Sequence, residues 1–177
     1  SGMAANVYDN LTNLNCWIAF ITNRENIVKT RYIDSRSGQH LLRVDDEPAI
    51  EPWDGDIGSQ PWETYDAVII SDYNKGFLSE KTIEEILSSH PNTFLDTKKV
   101  LGDWATNAKY IKINNYEYQR SLGYMDLNLK NKVIHTRGKH GCDFQGKNYP
   151  VTEVEVKDAS GAGDSFLAAL VISYLKS

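Results

Sequence analysis

The run Asp158-Ala-Ser-Gly-Ala-Gly-Asp164 joins small, flexible residues to a carboxylate, and an apolar helical pattern (Phe166, Leu167, Leu170, Val171, Tyr174) starts directly after it. Glycine lets a backbone turn tightly, and the first turn of a helix leaves N–H groups without intrahelical partners. Those groups, together with the helix dipole, form a ready site for an anion such as phosphate. Asp164 then stands as a base beside a place for phosphate, which is what moving a phosphoryl group onto a hydroxyl requires. An ordinary glycine loop in front of a helix is the plainer alternative. The Asp-x-Ser before Gly-Ala-Gly-Asp and the Ser-Phe after it make the pattern more specific than a bare Gly-x-Gly.

The elements that must position this loop read as alternating strands and helices. Ala67 to Ser71, Phe94 to Asp96, Tyr110 to Asn114 and Val133 to Thr136 are apolar runs of strand length. Ser79 to Ser89 has helical spacing with Ile83, Ile86 and Leu87 on one face, and a short helix is expected near Tyr116 to Leu122. Cys142 to Gln145 and Asn148 to Val151 flank Gly146-Lys147 as a hairpin. Such alternation predicts an α/β fold with a mostly parallel sheet. Ligands of open α/β sheets collect beyond the C-terminal strand ends. Each of the four strands ends in polar residues there: Ser71-Asp-Tyr-Asn-Lys-Gly76, Asp96-Thr-Lys-Lys99, Asn114-Asn-Tyr-Glu117 and Thr136-Arg-Gly138. Any one of them is an ordinary loop on its own, but four on the same edge as an anion loop point to a site.

The amino-terminal part is organised differently. Trp17 to Thr22 reads as a strand. Ile27 to Asp34 and Gln39 to Val44 flank the turn Ser35-Arg-Ser-Gly38 as a hairpin, a small flap beside the α/β body. Asp46 to Pro61, rich in Pro, Asp and Gly, reads as a surface connection. The 177 residues suggest one domain; 41% are hydrophobic and 24% charged, as in ordinary globular chains. A net charge of −5 without a basic block argues against a nucleic-acid partner, and no apolar run is long enough for a membrane span. Cys16 and Cys142 lack metal-ligand spacing and read as reduced thiols, and no leader pattern opens the sequence, so a cytoplasmic location is expected.

Asp158 to Phe166 resembles the signature of the ribokinase, or phosphofructokinase-B-type (PfkB), carbohydrate kinases, Asp-Thr-x-Gly-Ala-Gly-Asp-x-Phe, with Ala159 in place of threonine. The resemblance implies a ribokinase-like three-layer α/β sandwich with a small β-sheet lid, here about residues 15–46 of a single domain 1–177. It implies Gly161, Ala162 and Gly163 as the anion hole and Asp164 as the catalytic base. Asn114-x-x-Glu117 is similar to the family's Asn-x-x-Glu motif, implying magnesium (Mg2+) at Asn114 and Glu117; a carboxylate and an amide on one helical turn can share a hydrated metal. Thr136, Gly138 and Gly141 resemble the segment beside the nucleotide, ATP. Asp96-Thr-Lys98 resembles an Asp-Pro-Lys stretch, with Thr97 in place of proline; Lys98 could neutralise phosphate, a solvated surface lysine being the alternative. Gly2-Met-Ala-Ala-Asn6-Val resembles a Gly-Gly-x-x-Asn-Val sugar-binding segment, with Gly2 and Asn6 against the sugar.

Val28 to Ile33, Leu41 to Glu47 and Ser71 to Gly76 are together similar to the D-glycero-β-D-manno-heptose-7-phosphate kinase domain of ADP-heptose synthases. That branch phosphorylates position 1 of a sugar that already carries a phosphate, so cations are needed, and Lys75, Arg31 and Arg43 are the candidates. The implied substrates are a sugar phosphate and ATP, with a homodimer formed through the lid. Other family kinases acting on a hexose, pentose or nucleoside, and a non-catalytic sugar- or nucleotide-binding relative, are the alternatives. Measured against the family pattern the body is expected to be abbreviated, without the strand that precedes Gly2 and the helices that close the fold.

Overall fold

The computed structural model describes residues 3–25, 27–46, 48–152 and 161–177. The order along the chain is α1 (Met3–Asn13), β1 (Val28–Ile33), β2 (His40–Asp46), β3 (Val68–Asp72), α2 (Glu80–Ser89), β4 (Thr93–Thr97), β5 (Tyr110–Asn114), α3 (Asn115–Ser121), α4 (Leu127–Lys130), β6 (Val133–Thr136), β7 (Cys142–Phe144), β8 (Lys147–Tyr149) and α5 (Ala162–Leu175). Strands β3 to β8 form one six-stranded sheet in sequence order. The pairings from β3 to β6 are parallel, and β7 and β8 close the sheet antiparallel. β1 and β2 pair antiparallel in a separate two-stranded sheet. The α/β body with a mostly parallel sheet and a small second sheet is thus present.

Parallel strands need both faces covered, which is why these strands read as nearly continuous apolar runs. One face, through Ile70, Leu95, Ile111 and Ile113, packs against Ile83, Ile86 and Leu87 of α2 and Leu129 of α4. The other, through Phe94, packs against Val7 and Leu11 of α1 and Leu167, Ala168 and Val171 of α5. Phe94 and Leu167 are fully buried, each contributing about 1.5–3 kcal/mol by removal from water. Side chains alternate along a strand, so Asp96 and Lys112, two residues beyond Phe94 and Tyr110, lie on the α1–α5 face. Ser79 lies just outside α2 and caps it, its side chain accepting from the Thr82 N–H at 3.0 Å.

Three expectations need correction. Trp17 to Thr22 is not a strand: Trp17 stacks on Tyr65, Phe20 stacks on Tyr8, and Cys16 and Ile18 pack against the α1–α5 cluster. Aromatic contacts rather than ladder hydrogen bonds hold that segment. The second hairpin turns at Gln145 and Gly146, both at positive φ, and Lys147 already belongs to β8. The 46–61 connection is not wholly superficial, since Trp53 and Ile57 pack on the core. Helix α1 was not foreseen, although Met3, Val7 and Leu11 recur at four-residue spacing and are all buried.

Candidate active site

Gly161 caps α5 in the left-handed region, at φ 80°, where glycine carries no steric penalty. Ala162, Gly163 and Asp164 then form the first turn, whose N–H groups face outward from the helix start. The segment Asp158 to Ser160 lies outside the described residues, as do Gly2 and Glu47. Asp164 is buried at 6% exposure, and Asn6 Nδ2 donates to its Oδ2 at 2.7 Å across a sequence separation of 158. Asn6 also lies beside the loop: a Cβ on Gly161 would sit 3.7 Å from its Nδ2. Packing of α1 on α5 therefore holds the carboxylate by one oxygen.

Beneath this turn lies a residue that the motif reading did not single out. Lys112 Nζ, 6% exposed, donates to Asp96 Oδ2 at 2.6 Å. Burial pushes the Asp96 carboxyl above its ordinary value, and Lys112 is the main opposing influence. A Cβ on Gly163 would come 2.6 Å from Lys112 Nζ, so a second reason for glycine here is the ammonium below it. The signal was legible in Tyr110-Ile-Lys-Ile, where a charge interrupts a strand buried on both faces.

Asn114 and Glu117 meet as a capping box at the start of α3. Asn114 Oδ1 accepts from the N–H groups of Tyr116 and Glu117, while the Glu117 carboxylate accepts from the Asn114 N–H at 2.7 Å and Nδ2 at 2.9 Å. Lys98 Nζ adds a further bond to Glu117 Oε1. Both oxygens of the buried Glu117 are thus engaged, and no cluster of three His, Cys, Asp or Glu side chains suited to a metal exists among the described residues. Magnesium demands near-ideal octahedral oxygen geometry. Direct coordination by Glu117 does not fit this arrangement.

Thr136 and Gly138 line an open cleft of about 540 Å³ together with Asn114, Asn115, Tyr116 and Arg137. Thr136 Oγ1 donates to the Ile113 carbonyl at 3.2 Å. Gly141, at φ 78°, lets the β6–β7 connection approach β8: a Cβ there would fall 2.0 Å from the Tyr149 carbonyl oxygen. His135 stacks flat on Tyr118, centroids 4.1 Å apart, and burial lowers its pKa from 6.5 against the opposing pull of Asp143.

Lys75, Arg31 and Arg43 gather elsewhere, around the charged face of the β1–β2 hairpin. Arg31 lies directly across from Arg43, and Arg43 forms a bidentate pair with Asp45 at 2.6 and 2.7 Å. That pairing, with Lys29 and Lys75 nearby, holds the Asp45 carboxyl below its ordinary value. Lys29 also lies over the Tyr73 ring at 4.7 Å, so the hairpin and the loop after β3 touch. The loop itself is braced: Thr97 Oγ1 donates to Asp72 Oδ2 at 2.7 Å, and Lys99 Nζ donates to Asn74 Oδ1 at 2.6 Å. The opposite face of the hairpin exposes Tyr32, Leu42 and Val44. No helix among the described residues is long and apolar enough to cross a membrane.

The sequence profile described as pfkB family carbohydrate kinase matches residues 80–177. The bifunctional protein HldE of Acidiphilium cryptum is 29% identical over 190 residues, covering 89% of this chain and 38% of that relative. The HldE of Bradyrhizobium diazoefficiens is 26% identical over 178 residues, with coverages of 82% and 35%. That of Helicobacter acinonychis is 29% identical over 180 residues, with coverages of 85% and 38%. The chain spans little more than a third of the length of these relatives. A solved structure of a Burkholderia thailandensis nucleoside kinase in complex with ADP-inosine aligns with a TM-score of 0.47 at 21% identity, over 61% of this chain and 40% of that one.

Proposed function

Because this chain belongs to the pfkB family of carbohydrate kinases, we propose that it transfers the terminal phosphoryl group of ATP to a sugar hydroxyl, and that the sugar is a heptose 7-phosphate phosphorylated at position 1. The observation that carries this reading is the Asn6–Asp164 hydrogen bond at the N-terminus of α5. It leaves the second oxygen of a fixed carboxylate beside N–H groups suited to phosphate. Asp164 accepts the proton of the attacking hydroxyl as the new O–P bond forms. The bond to ADP breaks, and ADP carries away the electron pair. The first-turn N–H groups at Ala162 and Gly163 stabilise charge on the moving group, so catalysis is mainly positioning and electrostatics. Magnesium bound with the nucleotide would supply charge neutralisation at the phosphates, and the Glu117 carboxylate stays engaged in the α3 cap.

The heptose assignment is supported by the resemblance of Val28–Ile33, Leu41–Glu47 and Ser71–Gly76 and by the HldE relatives. The facing arginines of the hairpin and Lys75 give a cationic surface on which a distant sugar phosphate can be read. The hairpin acts as a lid, and its apolar face, Tyr32, Leu42 and Val44, joins two copies. The test is ADP release from ATP with heptose 7-phosphate, unphosphorylated heptose, hexoses, pentoses and nucleosides, alongside sedimentation of the protein. Turnover preferring the 7-phosphate supports the reading. Preference for another sugar or a nucleoside overturns the heptose assignment, and failure to turn over any of them overturns the kinase reading.

A further inference from the structure

Lysine is a costly residue to bury, because its charge must leave water and its ammonium has three protons to place. Lys112 is nevertheless 6% exposed in the middle of a sheet. Its one hydrogen bond among the described residues goes to Asp96. The strand register sets Ser71, Asp96 and Lys112 side by side across β3, β4 and β5. Two atoms of that row, Ser71 Oγ and Asp96 Oδ1, are buried without a partner among the described residues. A row with this much open hydrogen-bonding capacity is poor as mere stabilisation, since a well-packed apolar trio would cost less. It lies directly under the first turn of α5. Around the position of a Gly163 Cβ, Lys112 Nζ stands at 2.6 Å and Lys112 Cε at 3.5 Å, with no atom of Asp96 inside 4 Å. The ammonium therefore faces the turn and the carboxylate lies behind it, a dipole whose positive end adds to that of the helix.

We propose that Lys112 is a positioning residue for phosphoryl transfer: its ammonium, held by Asp96, seats the first turn of α5 and presents a fixed positive charge beneath the transferred group. The function rests on the kinase reading given above, while the contact with Gly163 does not. Gly163 is glycine because Lys112 occupies the space a Cβ needs; its φ is not in the left-handed region, so backbone conformation is not the reason.

Two measurements test this. Lys112→Met keeps most of the stem and removes the charge, and Lys112→Met/Asp96→Asn restores neutrality in the buried row. In the double variant the urea midpoint should return close to that of the wild type, while kcat for ATP-dependent sugar phosphorylation stays at least tenfold lower with KM for ATP and sugar within about twofold. Recovery of kcat along with stability would reduce the pair to a structural one and overturn the proposal. The second measurement needs no substrate. Gly163→Ala should lower the urea midpoint in the wild-type background and leave it unchanged or raised with Lys112→Met, because Met ends near the Cε position, an ordinary contact distance. Equal losses in both backgrounds overturn the Lys112–Gly163 contact even in an active kinase. A wild type that phosphorylates no sugar, with the stability coupling intact, overturns the kinase reading and the catalytic part of the proposal but not the contact.

Discussion

Replacing Asp164 by asparagine separates the chemistry of the carboxylate from its structural contact. Asn6 Nδ2 donates to Asp164 Oδ2 at 2.7 Å, and an asparagine at position 164 can turn its carbonyl oxygen to the same donor. The contact between α1 and α5 should persist, with a loss of no more than about 1 kcal/mol from exchanging a charged acceptor for a neutral one. What disappears is the second oxygen as a proton acceptor. General-base loss is worth roughly 10²- to 10⁴-fold, which corresponds to about 3–5 kcal/mol in the barrier. Asp164→Ala is a different perturbation, since it also leaves the Asn6 amide without its partner and should cost about 1–3 kcal/mol of stability. The assay is coupled detection of ADP at saturating ATP and sugar phosphate, paired with urea unfolding and calorimetric titration with a non-hydrolysable ATP analogue. The expected result for Asp164→Asn is a urea midpoint near that of the wild type, unchanged analogue binding and turnover reduced at least a hundredfold. Turnover within a few-fold of wild type in a folded, nucleotide-binding variant would refute the role of Asp164 as base.

Other perturbations probe separate parts of the structure. Lys75→Ala should weaken heptose 7-phosphate binding by about 1.5 kcal/mol, roughly tenfold, the lower end of the range for a bond to a charged group because Lys75 is exposed; ATP binding should stay unchanged. Equal loss with the unphosphorylated sugar would remove the phosphate-reading role. Gly141→Ala should cost at least about 2–3 kcal/mol in urea unfolding, since its Cβ would meet the Tyr149 carbonyl from a left-handed backbone; a loss below about 1 kcal/mol would contradict that geometry. His135 is held in its neutral form by burial, so the unfolded chain takes up the proton first as pH falls below 6.5. Stability should therefore be complete above that pH and decline below it, and His135→Gln should flatten that part of the pH profile of the urea midpoint.

Much of the body was legible in the amino-acid sequence because the deciding signals are local. The runs around Ile70, Leu95, Ile111 and Ile134 read as strands covered on both sides, and the spacing of Ile83, Ile86 and Leu87 marks α2, whereas the start of α5 at Ala162, ahead of the Gly163 expected to precede it, was decided by the left-handed backbone of Gly161. The turn falls at Gln145-Gly146, one residue before the expected Gly146-Lys147, because glutamine seldom adopts positive φ and so gives no local turn signal. Trp17 to Thr22 has strand composition, but composition cannot say whether a neighbouring edge is there to pair with.

The site was legible as a set of residue types and not as an arrangement. Asp164 and the glycines before it declared an anion loop through one helix turn, and Asn114-x-x-Glu117 declared a helix start. Only the packing of α1 on α5 decided that Asn6 holds Asp164, because a hydrogen bond across 158 residues depends on where two helices cross, which no local periodicity encodes. The parallel register of β4 with β5 likewise put Asp96 against Lys112, and the descent of α5 onto that face put the ammonium under Gly163. The same folding set Lys98 against Glu117 and placed Asn114 and Glu117 in one capping box. Residue identity determines what a group can do; which neighbour takes up its charge or its proton is settled by tertiary contacts, since electrostatic and hydrogen-bond energies depend on distances of a few ångströms that sequence spacing does not set.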